Sequence, residues 1–119
     1  MNIQAHKIGE TEIAEVISDK LVIQNTEDAL DLMGDIYYQG FDKIILHLEN
    51  ITADFFDLKN KMAGEILQKF SNYRISLAIV GDFSGFASNS LRDFIYESNK
   101  GRQVNFVASV DEALSALTK

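Results

Sequence analysis

The side chains able to do acid–base chemistry are few, and one histidine lies in a position that suits it. The chain has 119 residues, no cysteine and only two histidines. His47 ends the apolar run at residues 43–48, close to the carboxyl end of a predicted central strand, where a general base can act in an open α/β sheet. With Asp54 or Asp82 it would form a hydrolase or transferase site. The same position also suits a histidine packed under a helix with one ring nitrogen satisfied, so both interpretations stay open.

Three aspartates follow the predicted strands and could act as oxygen ligands. Asp54, Asp57 and Asp82 would hold a divalent cation if they converged at one end of the sheet. Aspartate is also ordinary in such loops as a helix cap or a solvated acid. Without cysteine, the chain can build no disulfide, thiolate zinc site or iron–sulfur cluster. We therefore predict no metal and no cofactor.

A glycine- and serine-rich segment, GDFSGFASNS at residues 81–90, separates a predicted strand from a helix. Phosphates bind at such places, but the segment has neither GxGxxG nor GK[ST], so the sequence predicts no nucleotide site. Phe83 and Phe86 are its unusual residues. They either fold back over the core as a lid or stay exposed as an anchor for a partner.

Apolar runs alternate with amphipathic stretches, and this pattern predicts the strands and helices that position these residues. Period-two patterning with a turn at Gly9 predicts an N-terminal hairpin over residues 2–18. Helical spacing predicts helices from Thr26, over residues 54–71, from Ser88 or Asn89, and from Ser109 or Asp111. Buried strands are expected at residues 43–48, 75–80 and 104–108. The predicted core includes Ile45, Leu46, Phe55, Leu58, Ile66, Leu77 and Ile79.

This element order predicts one α/β domain over residues 1–119. Strands that alternate with helices pair in parallel through crossover connections. The expected sheet is therefore mixed and mostly parallel, with about five strands, an N-terminal hairpin and four helices.

Charge and hydropathy exclude several kinds of partner. The net charge is −7, and residues 1–58 carry twelve acids against three lysines. Such a surface repels nucleic-acid phosphates. No apolar run approaches the roughly 20 residues that span a bilayer, and the first residues do not resemble a secretory signal. We expect a cytoplasmic protein that binds neither nucleic acid nor membrane.

The hairpin, the acidic first helix, the strand KIILHLENI and the long helix after it resemble the STAS-like fold of bacterial anti-sigma-factor antagonists. More closely, DKIILHLENITADFFDLKNKMAGEILQKFSNYRISLAIVGDFS and SLRDFIYESNKGRQVNF resemble a family of small bacterial single-domain proteins of unknown function. The second resemblance covers nearly the whole chain. It implies a STAS-like fold and carries no assigned activity.

One feature of the antagonists is missing. In that family an acidic residue at the start of the second helix is followed by a phosphorylatable Ser or Thr and a Gly. Here Asp54 matches the acid, but Phe55 and Phe56 follow it and cannot accept a phosphoryl group. The resemblance therefore implies partner binding without that phosphorylation switch.

The predicted function is a non-enzymatic regulatory or protein-interaction module, whose partner is another protein or a second copy of the chain. The alternatives are a small-ligand binder, with an apolar pocket under the second and third helices, and the hydrolase or transferase described above. The loops after the parallel strands are the expected working surface, because open α/β sheets bind ligands there. Its predicted residues are Asp54, Phe55, Asp82, Phe83, Ser84, Phe86 and Ser88.

Overall fold

An antiparallel hairpin is followed by alternating helices and strands in the computed structural model, which describes residues 1–119. The strands are β1 (Asn2–Ile8), β2 (Thr11–Ile17), β3 (Lys43–His47), β4 (Ser76–Val80) and β5 (Val104–Val107). The helices are α1 (Thr26–Tyr38), α2 (Met62–Asn72), α3 (Asn89–Lys100) and α4 (Val110–Leu117). Three short 3-10 turns, at Leu48–Asn50, Ala53–Phe56 and Leu58–Asn60, connect β3 to α2.

The five strands form one sheet, and their spatial order β1-β2-β3-β4-β5 is also their order in the chain. β1 pairs with β2 antiparallel, and each later pair is parallel. Gly9, at φ +60°, makes the tight turn between the first two strands, because a left-handed backbone carries no steric penalty for glycine. The predicted mixed, mostly parallel α/β sheet with an N-terminal hairpin and four helices is confirmed.

The two faces of the sheet are covered unequally. Alternate strand residues such as Val16, Leu46 and Ile79 pack under α1, α2 and α3 in the larger core. The strand residues on the other face of the sheet, which include Ile13 and Ile45, pack against a single helix, α4. Because α4 packs mainly against β3, β4 and β5, the β1 side of this second face is the more open part of the sheet.

The segment after β3 differs from its predicted structure. A single helix over residues 54–71 was expected, but α2 begins only at Met62. Thr52 and Asp57 accept hydrogen bonds from the backbone N–H groups two residues later, which favours short turns over a continuous helix. Lys61 then adopts a left-handed backbone at φ +65°, which separates the turns from α2.

Most of the predicted core is buried, with one exception. Six of the seven residues are at most 2% exposed: Ile45, Leu46, Phe55, Ile66, Leu77 and Ile79. Leu58 is only half-buried and packs at the margin of the core. Its 3-10 turn, in place of the expected helix, accounts for the difference.

Side chains that cap the helices define where they begin. Asn25, and not the predicted Thr26, caps α1 by accepting a hydrogen bond from the backbone N–H of Asp28 at 2.8 Å. Ser88 and Ser109 cap α3 and α4 in the same way, as two of the predicted alternatives. None of the four helices combines the length and the apolar composition needed to cross a membrane.

Candidate functional site

The predicted surface lies in two loops beyond the carboxyl ends of β3 and β4, and its residues differ in exposure. Asp54, Asp82, Ser84 and Ser88 are exposed, and Phe83 and Phe86 are half-buried. Phe55 is only 2% exposed, so its place on the predicted surface needs correction. The 3-10 turn that begins at Ala53 directs this ring into the core while it leaves the neighbouring Asp54 in solvent.

Phenylalanine rings from both loops pack together over the end of the core. Phe86 stacks on Phe56, with ring centroids 5.0 Å apart, and Phe83 meets Phe106 edge-on at 5.4 Å. Phe56 in turn contacts Phe55 at 4.9 Å. Aromatic pairs of this kind each stabilise a fold by about 0.5–1.5 kcal/mol beyond the area that they bury. Of the two interpretations of Phe83 and Phe86, the geometry matches a lid on the core whose outer edges still reach solvent.

Polar side chains of the second loop form its turns. Asp82 Oδ1 accepts hydrogen bonds from the Ser84 backbone N–H at 3.0 Å and from Ser84 Oγ at 2.6 Å. These two bonds lower the pKa of the exposed Asp82 carboxyl. Ser88 Oγ accepts from the Leu91 N–H and so caps α3. Each of these residues therefore shapes the loop as well as facing solvent.

Both histidines of the chain hydrogen-bond to one carboxylate on the more open face of the sheet. His6 on β1 and His47 on β3 flank Glu15 on β2, and their Nε2 atoms lie 2.8 and 2.7 Å from its two oxygens. Glu15 is 7% exposed, and the two rings are half-buried. We call these three residues the histidine–glutamate cluster. The cluster joins three neighbouring strands through side chains.

Opposing effects set the protonation of Glu15. Burial raises its pKa, whereas the hydrogen bonds and positive charges of His47 and His6 lower it, and the net effect is a lowered pKa. Glu15 is therefore ionised at neutral pH although it is buried. Because a buried charge is costly unless it is paired, the two imidazoles are what makes this position tolerable for a glutamate.

The chemistry available to the histidine–glutamate cluster is limited by its neighbours. His47 hydrogen-bonds to Glu15, and not to Asp54 or Asp82, its predicted catalytic partners. A carboxylate and the imidazole that it orients are two of the three members of a catalytic triad. No hydroxyl of the chain hydrogen-bonds to either ring, so the arrangement shown is an imidazole held by a carboxylate. It matches the packed histidine with one satisfied ring nitrogen.

Two of the three aspartates considered as cation ligands have other roles. Asp57 accepts from the Lys59 N–H and Asp82 from Ser84. No group of three or more His, Asp or Glu side chains in the structure could hold a metal ion.

The apolar pocket expected beside Phe55, Phe83 and Phe86 is not formed, because the packed rings fill that space. The surface groove between α2 and α3 has only three hydrophobic residues among the eleven that line it. It does not resemble the deep apolar cavity of a small-ligand site.

Comparison with known proteins places the chain in a family. Residues 8–117 match the profile of a family described as a domain of unknown function, DUF4180. The chain belongs to the DUF4180 family. This DUF4180 chain matches no curated protein.

Solved structures share the fold of the DUF4180 chain at low sequence identity. A crystal structure of a protein from Thermotoga maritima, provisionally described as an anti-sigma factor antagonist, is 15% identical and aligns with a TM-score of 0.50. The alignment covers 98% of this chain and 95% of that one. An NMR structure of the same protein is 14% identical, with a TM-score of 0.48 and coverage of 97% and 87%. At this identity the likeness shows that DUF4180 has an anti-sigma-antagonist-like, STAS-like fold.

Proposed function

We propose that this DUF4180 chain is a non-enzymatic protein-interaction module that contacts its partner through the loops beyond β3 and β4. One observation carries the proposal: the half-buried Phe83 lies between the exposed Asp82 and Ser84 in the chain, and the exposed Asp54 lies two residues before Phe56, which stacks on the half-buried Phe86. An aromatic centre with a polar rim is the usual composition of a protein–protein interface. We call Asp54, Asp82, Phe83, Ser84 and Phe86 the loop surface.

The fold supports the same class of function. The structural neighbour from Thermotoga maritima is described as an anti-sigma factor antagonist, a description that names a protein as its target. The DUF4180 chain has buried phenylalanines where the family resemblance would require a phosphorylatable residue and a glycine. Binding by this chain would therefore not be controlled by phosphorylation at that point.

The alternatives have less structural support. The small-ligand site expected under the second and third helices needs a cavity beside Phe55, where the rings are packed together. A hydrolase or transferase that uses His47 with Asp54 or Asp82 needs one of these carboxylates beside the ring, which hydrogen-bonds to Glu15 instead.

The test uses the chain as bait for a partner and then maps the contact. After capture and identification, the partner would be titrated against wild type and against a variant carrying Asp82→Asn and Ser84→Ala. We expect binding at least tenfold weaker, about 1.4 kcal/mol, because both exposed groups lie on the loop surface. Ser115→Ala, at an exposed position on α4, is the matched control and should bind as wild type.

Chemical-shift mapping of the complex can contradict the proposed contact surface. Perturbations confined to the hairpin or to α4, with residues 52–57 and 81–88 unchanged, would place the partner elsewhere. Thermal melts of each variant would separate lost binding from lost folding.

A further inference from the structure

The tyrosines of the chain are all exposed, and three of the four lie at one end of the molecule. Tyr37, Tyr38 and Tyr73 are 65%, 91% and 60% exposed, and Tyr96 on α3 is 66% exposed. Tyr37 and Tyr73 line the same surface groove, of about 640 Å³, between α1 and the end of α2. Tyrosine is enriched at binding hot spots because its rigid ring covers a large area at a small cost in entropy.

The lining of the groove is mainly apolar. Leu30, Met33 and Tyr37 follow one another at helical spacing along α1, and five of the eight lining residues are hydrophobic. Gly34 leaves part of the α1 wall flat, since nothing lies within 4 Å of the point where a Cβ would be. On the other wall Arg74 has a left-handed backbone, at φ +57°, and turns the chain from α2 into β4.

The charged residues of α1 beside the groove are all acidic. Glu27, Asp31 and Asp35 recur every four residues along α1 and are all exposed. No ion pair involves them, and residues 21–42 contain neither lysine nor arginine.

Repeated like charges at this spacing destabilise a helix. An acid in the last turn also opposes the helix dipole, and α1 has no basic residue there. The acidic side chains of α1 therefore have no basic partner on their own helix, although Arg74 provides one cation on the far wall of the groove.

We propose that this groove is a docking site for a basic amphipathic helix of another protein. Apolar side chains of that helix would fill the space between Tyr37 and Tyr73. Its lysines or arginines, spaced four residues apart, would lie over Glu27, Asp31 and Asp35, since the spacing of about 6 Å is the same on both helices. A second copy of the chain fits poorly, because its net charge of −7 opposes the same acidic face.

The docking groove is separate from the loop surface. The carboxyl ends of α1 and α2 lead into β3 and β4, so the groove lies at the amino end of the parallel strands, and the loop surface lies at their carboxyl end. The two sites can therefore be tested independently, and one protein could occupy each.

The experiment compares two synthetic peptides of about 18 residues that share one leucine pattern. One carries lysine at its polar positions and the other glutamate. We expect the lysine peptide to bind, with chemical-shift changes at residues 27–41 and 72–75, and with affinity that falls between low and physiological salt. The glutamate peptide should not bind.

Variants of the chain decide whether the groove is responsible. Tyr37→Ala or Tyr73→Ala should weaken binding of the lysine peptide at least tenfold. Tyr96 on α3 is equally exposed, and Tyr96→Ala should leave this binding unchanged. Asp31→Asn combined with Asp35→Asn should reduce the dependence on salt, and these exposed positions keep the test valid if a tyrosine variant folds poorly. Asp82→Asn, on the loop surface, should bind the lysine peptide as wild type does.

Three results would overturn the proposal. They are equal binding of both peptides, chemical-shift changes outside the groove, and no binding of the lysine peptide at low salt. A concentration-dependent dimer that is lost in Tyr37→Ala would assign the groove to a second copy of the chain instead.

Discussion

Replacement of Glu15 by glutamine tests whether the histidine–glutamate cluster stabilises the sheet. The wild-type carboxylate accepts two hydrogen bonds, at 2.8 and 2.7 Å, from rings on the two flanking strands. A hydrogen bond to a charged group contributes about 1.5–3 kcal/mol. Glutamine keeps one oxygen acceptor and avoids burying a charge, so part of this is retained. We expect Glu15→Gln to lower the free energy of unfolding by about 2 kcal/mol, or the Tm by about 8 °C.

The stability difference between wild type and Glu15→Gln should also change with pH in a defined direction. The folded-state pKa of Glu15 is below its usual value of 4.5. Its contribution to stability is therefore present above that value and is lost as the pH falls through the lower folded-state pKa. Wild type and Glu15→Gln should differ at about pH 6, and the difference should be smaller at about pH 3, because the contribution of the ionised carboxyl falls as the pH drops below 4.5.

Guanidinium unfolding curves at both pH values measure the effect. Glu12→Gln, an exposed acid on the same strand, is the matched control and should stay within about 0.5 kcal/mol of wild type. His47→Gln removes one of the two hydrogen bonds, so it should destabilise less than Glu15→Gln. If Glu15→Gln matched Glu12→Gln at about pH 6, the cluster would contribute nothing measurable and the reasoning would be wrong.

Four further substitutions test the core and the loops. Leu46→Ala should cost about 2–5 kcal/mol in guanidinium melts, because the side chain is fully buried at the centre of the sheet; a midpoint equal to that of wild type would contradict this. Gly81→Ala should cost about 1–3 kcal/mol, since the new Cβ would lie 2.5 Å from the Cβ of Leu48. Gly85→Ala, with nothing within 4 Å, should be close to neutral, and equal losses for both would refute the steric argument. Asp82→Asn should speed amide exchange in its loop and leave the Tm almost unchanged, and unchanged exchange would show that its hydrogen bonds to Ser84 do not order the loop.

The fold was predictable because its signals are local. Continuous apolar runs marked β3 and β4, and Gly9 marked the hairpin turn. The start of α2 was not predictable in the same way, because Phe55, Leu58 and Met62 have helical spacing although the first two lie in 3-10 turns. There, side-chain hydrogen bonds to the backbone outweighed the periodicity.

The candidate sites were less predictable than the fold, because they depend on pairing between distant residues. His47 and Glu15 are 32 residues apart, and the register of two parallel strands is not encoded by any turn between them. The sequence placed Phe55 both in the core and on the working surface, and the packing of the aromatic rings shows that only the core assignment is correct. The exposure of the tyrosines on α1 could not be predicted from the sequence, because it depends on which face of the helix is buried.

The strands have the same order in the sheet as in the chain, and this order affects folding during synthesis. During synthesis each strand can pair with the one that left the ribosome just before it, so the sheet grows at a single edge. A two-stranded hairpin is only marginally stable alone, so the first persistent nascent structure requires β3 and α1 as well. Substitutions in the hairpin should therefore delay every later stage of co-translational folding, whereas substitutions in β5 should affect only the last stage.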